Sequence, residues 1–169
     1  MRTYFESVSA TPMLAANLVL ALILVAVFPA LPIGGEMLDV KSGYTYREAV
    51  SAFESYGEPG RRLYAWSSAT LDTLLPVAYA SLLAGLVYRF RPTERLWKLA
   101  YLPIGAGLLD LCENIQIILL LVLYPEISAG QVASASLFTA SKGHALSICL
   151  ALAVVLGAVS VLRSRLNRT

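Results

Sequence analysis

The sequence predicts an all-α fold, a four-helix transmembrane bundle with a short amphipathic helix in the outer loop between spans 1 and 2. Three observations predict it. The chain is 57% hydrophobic and only 14% charged, where a soluble domain is nearer a quarter charged. Apolar runs at about 13–31, 69–90, 99–124 and 135–162 each approach or exceed the roughly 20 residues that cross a bilayer at ~1.5 Å per residue. Turn residues and charges gather between these runs. The expectation is a single integral membrane domain over 1–169 with one long polar connection, the outer loop 32–68.

The first run, Met13 to Leu31, is closed by Pro29 and Pro32 and preceded by Arg2. Its apolar core is longer than that of a secretory signal and no clean A-x-A-like site follows, so a retained transmembrane helix is the better reading. The loop opens with Gly34-Gly35. Thr45-Tyr46-Arg47-Glu48 then fits a capping box. Tyr46, Ala49, Val50 and Phe53 follow at helical spacing, giving a short amphipathic helix ended by Gly57 and Pro59. It suits the membrane surface or a lid over a site.

Tyr64 and Trp66 lead into the second span, where amphipathic rings favour the headgroup region. Arg61 and Arg62 suit interfacial anchoring, contact with lipid phosphate, or pairing with the acids of the loop. Within the second span, Asp72, Pro76 and Tyr79 share one helical face. Pro76 leaves the carbonyl four residues earlier, that of Asp72, without its helical partner. Arg89, Arg91, Arg95 and Lys98 fill the next connection. The third span carries Pro103, Gly105 and Gly107, small residues that let a neighbouring helix approach. A short loop from Pro125 to about Ser134 precedes the fourth span, and the chain ends Arg163-Ser164-Arg165-Leu166-Asn167-Arg168-Thr169. Basic residues at 89–98 and in the tail predict a multi-pass protein of the cell membrane with both termini cytoplasmic. On that orientation the sequon at 167–169 carries no weight.

Asp110-Leu111-Cys112-Glu113-Asn114 stands in the middle of the third span. Asp110, Glu113 and Asn114 share a face at i, i+3, i+4. An ionised group at bilayer depth costs on the order of 3 kcal/mol on insertion scales, so two acids and an amide require partners. Taking span midpoints as the bilayer centre, Asp110 and Glu113 lie near it. Asp72, Gln116, Lys142 and His144 fall in the outer half. Lys142 and His144 are two residues apart, hence about 200° apart on a helix, and cannot both face the same neighbour. Lys142 toward the carboxylates is favoured because an unpaired intramembrane ammonium is costly; Lys142 snorkelling outward with His144 facing the site is the alternative.

Two acids on one face with a lysine counter-ion make a workable acid–base pair, with Glu113 and Asp110 as the candidate catalytic groups. Asp72, Asn114, Lys142, His144, Tyr79 and Gln116 are the candidate ligand-binding residues. No metal and no cofactor is predicted, since one histidine is too few for zinc or paired haem ligation. Phosphate-binding loops, nucleophile elbows and HExxH motifs are absent. Cys112 and Cys149 lie in apolar runs without a CxxC motif and read as packing residues. The net charge of +2 with basic residues at the membrane edges implies no nucleic acid. Membrane lipids are the expected partners, together with a small amphipathic ligand, and a homo-oligomer is compatible.

The succession Gly60-x-Arg62-x-x-Ala65, Asp72-x-x-x-Pro76-x-x-Tyr79 and Asp110-x-x-Glu113-Asn114 resembles a group of small four-span prokaryotic membrane proteins without assigned activity. That resemblance implies an architecture and no reaction. In architecture alone the chain is also similar to the sterol-isomerase and sigma-2-receptor superfamily, whose four membrane helices bury acids in a pocket; no residue role carries over. The reading from the residues is an outward-opening polar pocket that binds, and in one version transforms, an amphipathic or lipid-like molecule. A proton-linked carrier of small solutes, or a structural subunit with a buried ion-pair network, would use the same residues. Whether the chain is an enzyme stays open at this stage.

Overall fold

The computed structural model describes residues 2–166; the sequon at 167–169 lies outside them. The described residues form helices and no strand: α1 (Arg2–Val8), α2 (Thr11–Val27), α3 (Tyr46–Ala69), α4 (Leu71–Phe90), α5 (Tyr101–Leu123) and α6 (Ala129–Leu166). Four helical segments are long and apolar enough to cross a membrane, and they contain α2, α4, α5 and α6. Leu22, Ile23, Val122 and Val154 are among many large apolar side chains exposed on their outer faces. In a soluble protein such a surface would aggregate; against lipid tails it is matched.

The helix between spans 1 and 2 starts where its capping box places it. The Thr45 side chain accepts from the Glu48 N–H at 3.3 Å, and the Glu48 carboxylate accepts from the Thr45 N–H at 2.6 Å. It breaks at Gly57, whose φ of 61° and ψ of 178° suit glycine. The chain does not then pass loosely into the second span. Pro59, tolerated in a first helical turn because no N–H is needed there, opens a second helical stretch that runs to Ala69. This half buries Tyr64 completely, against the end of α5 at Ile117, Leu120 and Leu121.

Two further elements differ from the sequence expectation. α1 is a short helix whose Phe5 inserts among Tyr88, Trp97 and Tyr101, with ring centroids 5.0–6.3 Å away. α6 begins at Ala129, inside what reads as a loop. Ser128 and Gln131 make a second capping box, with Ser128 N–H donating to Gln131 Oε1 at 2.7 Å and Gln131 N–H to Ser128 Oγ at 3.2 Å.

α4 lies in the middle of the bundle, packed by α2 on one side and by α5 and α6 on the other. Of the glycines expected to admit a close neighbour, Gly107 does so: a Cβ there would meet the Ala80 Cβ at 2.9 Å, while one on Gly105 would meet nothing within 4 Å. Arg2 pairs with Glu94 at 2.5 Å and Arg163 donates to the Pro92 carbonyl at 3.3 Å. The amino-terminal helix, the 89–98 connection and the end of α6 therefore share one end of the bundle. The 28–45 segment and both halves of α3 cover the other.

Candidate functional site

Two apolar clusters hold the ends of the bundle. One joins the 33–45 loop and α3 to the end of α5; the other joins α1, α4 and the far part of α6. Between them lie the buried polar residues Asp72, Asp110, Glu113, Asn114 and Thr139. The i, i+3, i+4 spacing on α5 turns Asp110, Glu113 and Asn114 inward together, while Cys112 faces outward.

Asp110, Glu113, Asn114 and Thr139 each meet a partner from another helix. Lys142 of α6 lies 3.3 Å from Asp110 Oδ1 and forms a closer ion pair with Glu113 Oε2. Thr139, three residues before Lys142 on the same face, donates to Glu113 Oε1 at 2.5 Å. Tyr79 of α4 donates to Asp110 Oδ2 at 2.8 Å. Asn114 donates from Nδ2 to the Asp72 backbone carbonyl at 2.8 Å, the carbonyl that Pro76 leaves without a helical N–H. Lys142 thus faces the carboxylates, and the arrangement with His144 at the site is overturned. His144 is exposed, with Nδ1 2.6 Å from the carbonyl of Ala140 on its own helix. The cause is the 200° separation, which sends one of the two outward once Lys142 points in.

A cavity of about 600 Å³ opens beside this network. Asp72, Tyr79, Asp110, Thr139 and Lys142 line one part of it. Leu22, Val25, Leu82, Leu146 and Leu150 line another, on α2, α4 and α6. Met37, Asp39, Val40 and Lys41 from the loop also border it. Of the sequence candidates, Asp72, Tyr79, Asp110 and Lys142 reach the cavity. Glu113, at 0% exposure, sits behind Lys142 and does not line it; of the two candidate catalytic acids, Asp110 alone borders the cavity. Asn114 is likewise behind the wall, and Gln116 is half-buried outside the cavity lining.

Sequence reasoning expected the outer loop to roof the site, with the 46–56 helix as its lid, and missed Asp39. The roof is the 37–41 turn, not the 46–56 helix, which contributes no lining residue. Tyr64 pins it: its hydroxyl accepts from the Leu38 and Asp39 N–H groups at 3.1 and 3.3 Å and donates to Asp39 Oδ1 at 2.6 Å. That fills the capacity of one phenolic hydroxyl. No local pattern links positions 39 and 64. In the same loop Tyr44 is buried, and burial pushes its hydroxyl up to about 12, so it stays neutral.

The charge balance is uneven. Among the membrane-buried groups, Lys142 serves both Asp110 and Glu113. Asp72, 3% exposed, keeps Oδ2 buried with no hydrogen-bond partner. An orphaned carboxylate oxygen at such a site is costly. Asp72 borders the cavity together with Asp110 and Tyr79. Comparison of the chain with protein-family models, with curated proteins and with solved structures finds no match.

Proposed function

We propose that the protein binds a small amphipathic, lipid-like molecule in the cavity bordered by α2, α4 and α6. The observation that carries this reading is Asp72: a buried, unpartnered carboxylate oxygen on the wall of a cavity that is otherwise lined mainly by leucine, valine and other apolar side chains. A ligand with a donor-bearing or cationic headgroup satisfies Asp72, and its apolar body lies along Leu22, Leu82, Leu146 and Leu150. Such pockets combine apolar lining with few, placed polar groups. Asp110 is the second ligand-facing acid, oriented by Tyr79. Lys142 is the counter-charge to Asp110, and its pairing with Glu113 fixes the α5–α6 register. If the ligand is transformed, Asp110 and Asp72 are the carboxyls within its reach and the acid–base work is theirs. In this reading the bundle sits in the cell membrane with the 89–98 connection and the end of α6 in the cytoplasm, following the basic residues, and the roofed end faces outward.

The test is untargeted mass spectrometry of small molecules and lipids that co-purify with the wild type, Asp72→Asn and Glu113→Gln, all checked for monodispersity. A species enriched on the wild type and lost on well-folded Asp72→Asn is expected. Identical profiles from well-folded proteins would remove ligand binding at Asp72 and leave the ion network as structural scaffolding.

A further inference from the structure

A second groove, of about 620 Å³, lies on the outside of the bundle where the second half of α3 crosses the end of α5. It is lined by Arg61, Arg62, Trp66, Leu121, Val122 and Tyr124 among others. Arg61 is held in place from two sides. It donates to the carbonyl of Phe53 at 2.9 Å, in the last turn before the Gly57 break, and its guanidinium lies 4.8 Å from the centre of the Tyr124 ring. Neither partner is an anion, and no carboxylate pairs with Arg61 among the described residues. Arg62 next to it pairs with Glu58 at 2.7 Å, with both side chains largely exposed. Trp66 is 72% exposed and Val122 67%, so an indole and an apolar helix face continue the groove away from the two arginines. Indole rings of this kind concentrate at headgroup level.

We infer that this groove is a seat for one anionic phospholipid, its phosphate at Arg61 and Arg62 and an acyl chain along Trp66, Leu121 and Val122. Three features favour a lipid over a soluble anion. The Arg61 charge is pre-positioned with no carboxylate partner, beside an Arg62 that is paired only with the exposed Glu58; the apolar wall runs from them along a membrane helix, and the tryptophan stands where the two meet. A guanidinium matches phosphate geometry with two donors at once. The site is separate from the cavity and does not rest on the reading of Asp72.

The test is native mass spectrometry of the full chain from detergent micelles doped with phosphatidylglycerol or with phosphatidylcholine. The wild type is expected to retain phosphatidylglycerol preferentially. Arg61→Gln keeps a donor for the Phe53 carbonyl and removes the charge; it should lower that preference about fivefold, the worth of one basic residue near a lipid surface. Arg62→Glu, on an exposed side chain whose change does not threaten the fold, should lower it further. Equal retention of both lipids by the wild type, or undiminished preference in Arg62→Glu, overturns the inference. So does full displacement of phosphatidylglycerol by millimolar inorganic phosphate, which would make the site a soluble-anion site.

Discussion

Asn114 donates to the main-chain carbonyl of Asp72 at 2.8 Å, and it does so because Pro76, four residues further on, has no N–H to offer. A side chain of one helix thereby completes the backbone of its neighbour, and the first turn of α4 is fixed beside the acidic face of α5. Asn114→Leu should cost about 1–2 kcal/mol, the upper range for interhelical hydrogen bonds in membranes. Pro76→Ala returns an N–H to that carbonyl, so the same Asn114 substitution should cost less in that background. A double-mutant cycle by thermal unfolding in detergent measures the difference; equal costs would show that the bond does not support the proline site.

Lys142 holds two carboxylates. Lys142→Met leaves both Asp110 and Glu113 buried without their cation and should destabilise by about 3–5 kcal/mol. Adding Asp110→Asn and Glu113→Gln removes the stranded charges and should recover most of the loss. Unfolding midpoints of the single and triple variants decide this. A triple variant as unstable as the single one would mean that Lys142 acts mainly through packing.

The roof depends on one hydroxyl. Tyr64→Phe deletes the bond to Asp39 and the acceptor for two N–H groups, leaving the ring in place. About 1–3 kcal/mol should be lost, and hydrogen exchange should rise over residues 37–41 while the spans stay protected. Unchanged exchange there would show that the turn is held by packing of Met37 and Leu38 alone.

The amphipathic start of α3 carries a pH dependence of its own. The Thr45 backbone N–H, with the Thr45 hydroxyl, holds the exposed Glu48 carboxyl below the usual glutamate value of 4.5. Its folded pKa being the lower one, the cap contributes fully above the unfolded value and is lost as pH falls through the folded value. Fraying of residues 45–50, followed by amide exchange or NMR shifts, should therefore increase below about pH 4.5. Glu48→Gln should flatten that response. A wild-type segment insensitive to pH in this window would argue that the Thr45 side chain alone caps the helix.

The outward surface of this protein and the inward turn of its acids could be read from residue order. Apolar run length marks the spans, and the i, i+3, i+4 spacing of Asp110, Glu113 and Asn114 puts them on one face whatever packs there. The choice of Lys142 over His144 was also available, because burying an unpaired ammonium is costlier than exposing an imidazole. Ser128 and Gln131 carried a capping signal as clear as that of Thr45 and Glu48; the start of α6 was legible there, although it reads as loop without that signal.

Position along the chain says nothing about which of several buried acids lines an opening and which stands behind it. Glu113 and Asp110 are one turn apart, yet only Asp110 reaches the cavity, because α6 crosses α5 with Thr139 and Lys142 over Glu113. Asp39 and Tyr64 meet through a loop closure with no periodicity to announce it. Arg61 finds Phe53 and Tyr124 only after Gly57 breaks α3. By itself the sequence determined the membrane solvent, the helices and the need to pair intramembrane charge, since these depend on local spacing and transfer cost. The tertiary structure decided which buried acid stays without a partner, Asp72, because that depends on how many cations the crossing helices bring within reach.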